Sequence, residues 1–183
     1  MRVTGGEAAG IRIECPPGEV RPAMDRMRES LFSIIGALEG LSFLDLFSGS
    51  GVVALEAISR GARRAVLVER ERQKRPTIEA NLERVLRGLD FEPEITVVSI
   101  PVERYIQRGR ESFDIVYLDP PFDYRHKSEL LSRLATSKAV RPGTEVILHY
   151  PREERIEAGV MEVTDQRRYG RSCLLFLRVP ERL

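Results

Sequence analysis

Apolar positions along this chain come in short, nearly unbroken runs rather than in strict alternation with polar ones. Residues 43–47, 65–69 and 113–118 are such runs, each flanked by charge, glycine or proline. That is the pattern of strands buried on both faces of a parallel sheet. Residues 94–99 and 144–149 predict two further strands. Between them the apolar spacing changes to that of helices. Residues 21–37 place Met24, Met27, Leu31, Ile34 and Ile35 on one helical face. A second helix is predicted over 52–60, stopped by Gly61, and a third over 76–87, with Pro76 in its first turn and Asn81 on its body. A fourth covers 129–138. Strands alternating with helices define an α/β protein with a mostly parallel sheet. Residues 160–164 and 172–178 read as a closing antiparallel hairpin with residues 167–171 as its turn. At the other end, the alternation at residues 10–14 predicts a small β-hairpin, with Gly5-Gly6 near its turn and Pro16-Pro17-Gly18 ending it.

Composition narrows the class. The chain has 183 residues, 42% of them hydrophobic, which is enough for one α/β domain with a substantial core. Residues 1–20 form the hairpin extension of that domain and 21–183 its core. Lys and Arg number 29 against 28 Asp and Glu, so overall charge does not point to a polyanion partner. Cys15 and Cys173 are too few and too far apart for a disulfide framework or a zinc site, and no metal is expected. No apolar run reaches membrane-spanning length and no signal-peptide pattern opens the chain, so a cytoplasmic location is expected.

The candidate chemistry lies where strands end. After residues 113–118 come Asp119-Pro120-Pro121-Phe122. Two prolines stop the ladder and fix their own φ angles, holding the Asp119 carboxylate, the Pro120 carbonyl and the Phe122 ring in a stiff corner. Such a corner, at the carboxyl end of a strand, suits a flat group bearing an NH2. By itself it also reads as a strand-ending turn with an Asp cap. The second stretch is Asp45, Phe47 and the turn Ser48-Gly49-Ser50-Gly51, which leads from strand to helix. The third glycine of a dinucleotide fingerprint is replaced by Ala54. Asp45 would repel a pyrophosphate and attract a cationic amino acid or sulfonium. Glu69 ends the next strand about twenty residues after the loop, at the position that binds ribose hydroxyls. Together these residues describe a nucleoside site without a phosphate cradle.

Asp-x-Phe-x-Gly-x-Gly from Asp45, the strand-end Glu69 and Asp119-Pro120-Pro121-Phe122 resemble the S-adenosylmethionine-dependent amino-methyltransferases. Residues 2–6, 21–32 and 55–62 further resemble the bacterial 16S ribosomal RNA guanine-N2 methyltransferase family, RsmD-like. The match runs in order over nearly the whole chain.

The resemblance implies a Rossmann-like class I methyltransferase with a seven-stranded sheet, acting as a monomer on 16S ribosomal RNA, free or within the small subunit or an assembly intermediate. It implies S-adenosyl-L-methionine as cofactor, held by Asp45, Phe47, Gly49, Ser50, Gly51, Glu69, Arg70 and Val102. Asp119, Pro120, Pro121 and Phe122 would carry the chemistry on an extruded base, and Arg21, Arg26, Arg28, Tyr124 and Arg168 would touch RNA. The adenine-reading Asp of many relatives is missing from residues 99–102, leaving backbone groups or Glu103. Ala23-Met24 stand where the family more often has hydroxyl residues. Several features keep two readings. Arg2 and Arg12 make the first hairpin either an RNA-contacting flap or a cap on the sheet edge. The arginines of residues 21–28 either hold phosphate or line a solvated helix face. Asp114 is read as structural, and His126 as an exposed loop residue rather than a general base. The same corner could serve a DNA amino-methyltransferase or a non-catalytic nucleoside-binding protein.

Overall fold

The computed structural model describes residues 1–15 and 24–181. The proline stop expected at residues 16–18, the first residues of the helix expected from residue 21, and Arg21 itself fall outside them. The elements follow in the order α1 (Met24–Ile35), β1 (Ser42–Leu46), α2 (Val52–Ser59), β2 (Arg64–Val68), α3 (Arg75–Leu86), β3 (Glu94–Val98), α4 (Val102–Arg108), β4 (Ile115–Leu118), α5 (Lys127–Ala135), β5 (Glu145–Pro151), β6 (Glu162–Tyr169) and β7 (Ser172–Arg178).

All seven strands form one sheet in the order β3-β2-β1-β4-β5-β7-β6. The first five pair in parallel, and β7 runs antiparallel to both β5 and β6. The strand order switches direction between β1 and β4, and a crevice opens at their carboxyl ends, where ligands bind in such sheets. The apolar runs are near-continuous because both faces are covered. Phe43, Leu67, Ile115 and Tyr117 pack toward α1, α2 and α3. Leu44, Val66, Val116 and Leu118 pack toward α4 and α5. Each such fully buried side chain contributes about 1.5–3 kcal/mol.

Three expectations change. Val102–Arg108 is a helix that the apolar pattern did not predict. Pro101 precedes it with extended backbone and serves as its N-cap. Arg167, Arg168 and Tyr169 are not a turn. They complete β6, with Arg168 opposite Cys173, and the reversal falls at Gly170-Arg171. The first hairpin is minimal: among the described residues it has one antiparallel bridge, Arg2 to Arg12, and none of them joins the seven-stranded sheet.

That hairpin instead sits on the helix layer. The Glu7 N–H donates to the Ser59 carbonyl at 2.8 Å, and the Thr4 N–H to the Glu56 carboxylate at 3.2 Å. Gly6 has φ +81°, and a Cβ there would lie 1.9 Å from the Ser59 carbonyl oxygen, so glycine is required for this approach. Asn81 of α3 then ties the hairpin to the glycine loop. Its side chain accepts from the Glu14 N–H at 2.8 Å and donates to the carbonyls of Glu14 and Ser50.

Candidate active site

A cavity of about 460 Å³ opens at the carboxyl ends of β1, β2 and β4. Among the carboxylates that line it, Asp45, Glu69 and Asp119 come one from each of these strand ends.

Asp45 is 1% exposed and accepts from the Ala54 N–H in the first turn of α2 at 3.2 Å. Burial pushes its carboxyl well above the ordinary value of 3.8, and the charges of Asp119 and Glu69 push the same way, against the Ala54 hydrogen bond. A bound cation would relieve this crowding. Glu69 is held from two sides, by the Gly49 N–H at 3.0 Å and the Glu71 N–H at 2.9 Å. Each carboxylate oxygen keeps lone pairs for further donors. The loop that approaches it turns on Gly51, at φ +78°, where a Cβ would meet Leu67 Cδ2 at 2.9 Å. Phe47, at φ +65°, is a non-glycine residue in the left-handed region, a conformation that concentrates at functional sites. Its ring meets Tyr124 edge-on at 5.4 Å.

The opposite wall is the corner after β4. The Asp119 N–H donates to the Leu46 carbonyl at 3.2 Å, pinning the corner against β1. Asp119, Pro120 and Pro121 line the cavity, whereas Phe122 does not and is 38% exposed. The loop that follows is not loose. The Lys127 ammonium, fully buried, donates to the Phe122 carbonyl at 3.2 Å and to the Tyr124 carbonyl at 2.5 Å, and pairs with Glu154 at 2.7 Å. The Tyr124 hydroxyl donates to Glu103 at 2.7 Å, joining this loop to the start of α4.

The structure brings Asp45, Phe47, Gly49, Ser50, Glu69, Arg70, Val102 and Tyr124 to the cavity wall, and Gly51 just behind it. It does not bring Arg26, Arg28 or Arg168 there. Arg26 and Arg168 are exposed elsewhere, Arg168 on the far edge strand. Arg28 is a correction. Its guanidinium has no exposure and is spent on Glu56, Asp25 and the Arg2 carbonyl, so it cannot reach an RNA phosphate. Asp114 is structural as expected, accepting from the Ser42 N–H at 2.9 Å, and His126 is exposed.

Two residues of the site were not visible in sequence. Tyr117 points its buried hydroxyl to the cavity with no hydrogen-bond partner among the described residues. Burial, and then the charges of Asp119 and Asp45, push this phenol up. His149 Nδ1 lies 2.7 Å from Asp119 Oδ1. The only sequence signal for His149 was a lone polar residue ending an apolar run.

The strand order, the glycine turn into α2, the acid at the end of β2 and the antiparallel β7 together make this a Rossmann-like methyltransferase fold. NodS, an N-methyltransferase from Bradyrhizobium japonicum WM9, shares that fold with a TM-score of 0.69 at 12% identity, covering 88% of this chain and 98% of its own. The chain belongs to the family described as Conserved hypothetical protein 95, the RsmD family, whose model matches residues 1–178. It is 34% identical over 125 residues to ribosomal RNA small subunit methyltransferase D of Escherichia coli K12, covering 67% of this chain and 60% of that protein. A hypothetical protein of Thermus thermophilus superposes with a TM-score of 0.80 at 28% identity, covering 98% of this chain and 99% of its own.

Proposed function

We propose that this protein methylates ribosomal RNA of the small subunit, using S-adenosyl-L-methionine, at the exocyclic N2 of a guanine extruded into the corner after β4. The observation that carries this reading is the cavity shared by a glycine loop crowded with carboxylates and the Asp119-Pro120 corner. The name of the Escherichia coli relative supports the RNA class.

The residues fit the cofactor. Glu69 keeps lone pairs for two ribose hydroxyls, and the buried carboxyl of Asp45 favours a cation nearby. Val102 and Glu103, at the start of α4, flank the place left for the adenine. Bound there, S-adenosyl-L-methionine supplies an electrophilic methyl group on a sulfonium whose departure leaves a neutral thioether. The chain's task is alignment and exclusion of water. A guanine N2 is a weak nucleophile because its lone pair is delocalised into the ring. Hydrogen bonds from its two N–H groups to the Asp119 carboxylate and the Pro120 carbonyl favour the attacking geometry and stabilise the positive charge that develops. Once N2 is methylated, its extra proton leaves to water. Phe122 stacks on the extruded base, a contribution of about 1–3 kcal/mol. Extrusion costs a few kcal/mol from a duplex and less from a loop.

The test is tritium transfer from labelled S-adenosyl-L-methionine to naked 16S RNA, small subunits and duplex DNA, with RNA from cells lacking the enzyme. Label in RNA or subunits, at N2 of guanine by nucleoside analysis and lost in Asp119→Ala, is the expected result. Label confined to DNA would overturn the substrate, and full transfer by Asp119→Ala would overturn the site.

A further inference from the structure

We propose that His149 is the positioning residue of this site: its imidazole fixes the Asp119 carboxylate through one oxygen, leaving the other for the target amine. The inference rests on the function proposed above, and extends it to a residue on a different strand.

The placement follows from strand register. β4 and β5 pair in parallel with Leu118 opposite Leu148, so the next step sets Asp119 beside His149 on the same face. The imidazole is 3% exposed, and its Nδ1 lies 2.7 Å from Asp119 Oδ1. A carboxylate only accepts, so the hydrogen is on Nδ1 and His149 is the donor. Nε2 is buried and has no hydrogen-bond partner among the described residues. Burying a polar atom this way is unfavourable, and an apolar residue would continue the run of β5 without that loss. What the histidine gains is contact with both parts of the corner. It holds Asp119 by a hydrogen bond, and its ring meets the Phe122 ring edge-on at 5.5 Å and 64°.

This geometry divides the work of Asp119. Oδ1 is engaged by His149, which locks the carboxylate torsion, and Oδ2 remains for an N–H of the base. A carboxylate already held in place needs no reorganisation as charge develops on the attacking nitrogen. A free carboxylate would rotate, and small misplacements at a reacting centre are expensive in rate. His149 itself does not touch the reacting atoms.

Three variants of the full chain test this on the RNA or subunit substrate: His149→Leu, His149→Asn and Asp119→Ala. The Asn side chain offers an N–H near the Nδ1 position, whereas Leu fills space and donates nothing. His149→Leu is expected to lower kcat by a factor on the order of ten to a hundred. Its KM for RNA, its S-adenosyl-L-methionine affinity and its thermal midpoint should stay close to those of the unaltered protein. His149→Asn should recover most of kcat. An unchanged kcat in His149→Leu would overturn the proposal, as would equal loss in the Leu and Asn variants. Retained transfer in Asp119→Ala would overturn the parent reading instead. A readout independent of activity is the tautomer seen by ¹⁵N NMR, in a chain whose only other histidine is His126. His149 should be protonated on Nδ1, and should shift toward the Nε2–H form in Asp119→Ala. An Nε2–H tautomer in the unaltered protein would refute the hydrogen bond itself.

Discussion

Arg28 of α1 and Glu56 of α2 face each other at 2.8 Å, and neither side chain reaches solvent. Around them, Glu56 also accepts from Arg60 at 2.8 Å and from the Thr4 N–H, while Arg28 donates to the Arg2 carbonyl. This network fastens the first hairpin and α1 onto α2. A buried charge left without its partner is strongly destabilising, whereas replacing both partners together is much milder. Arg28→Met should therefore lower unfolding free energy by about 3 kcal/mol, toward the lower end because Arg60 remains beside Glu56. The double variant Arg28→Met/Glu56→Leu should lose less than either single change. Urea midpoints at unchanged m-value measure this. A single variant that kept full stability would contradict the clamp.

Asp45 makes stability depend on pH. Its folded carboxyl holds a proton more tightly than in the unfolded chain, because burial and the nearby Asp119 and Glu69 penalise its charge. The contribution is fully present below the unfolded value of about 3.9 and is lost as pH rises toward the folded one. Asp45→Asn has no such slope, so the unaltered protein should lose stability relative to it as pH is raised above about 4. Urea unfolding of both proteins across a pH series reads the difference. Binding of S-adenosyl-L-methionine should favour the ionised form and release protons. Calorimetry in buffers of different ionisation enthalpy should detect that release, and find it reduced in Asp45→Asn.

The loop after the corner is set by one ammonium. Lys127→Met removes the donor to the Phe122 and Tyr124 carbonyls while keeping most of the side-chain volume. The KM for RNA should rise and proteolytic cutting within residues 122–126 should accelerate. The affinity for S-adenosyl-L-methionine should change little, since Glu69 and Asp45 are untouched. Equal loss of both ligands would mean that Lys127 supports the whole cavity rather than the loop.

Phe122 follows the cavity-lining Asp119-Pro120-Pro121 corner and is partly exposed, which leaves its ring open to an extruded base. Phe122→Ala should weaken RNA binding by about 1–3 kcal/mol, roughly 5- to 150-fold, and Phe122→Tyr should retain most of it. Filter binding with the unmodified RNA is sufficient to read this.

The apolar runs of β1, β2 and β4 were legible because strands covered on both faces need continuous apolar sequence, whatever their neighbours. The glycine turn, Glu69 and the proline corner were legible because each depends on local geometry. The helix Val102–Arg108 was missed because it is short, with only Val102 and Ile106 buried. β6 was misread for the opposite reason: Glu162–Tyr169 is largely exposed, so no apolar pattern marks it, and a register shift at Val163/Asp165 interrupts any alternation. Arg28 carried a signal that was available. It lies three residues before Leu31 and four before Phe32, on the stripe that α1 turns toward the core.

Local sequence thus dictates the order of strands and helices, the loop that approaches a ligand and the stiff corner facing it. These are effects of neighbouring residues on one another's backbone and burial. Which charges are spent is settled by packing in three dimensions. Glu56 neutralises an arginine from a helix 28 residues earlier, and Glu154 anchors Lys127 from 27 residues away. His149 reaches Asp119 only because β4 and β5 pair in one particular register. A side chain's charge is written in the sequence, but its partner is chosen by packing, and burial makes that choice costly to undo.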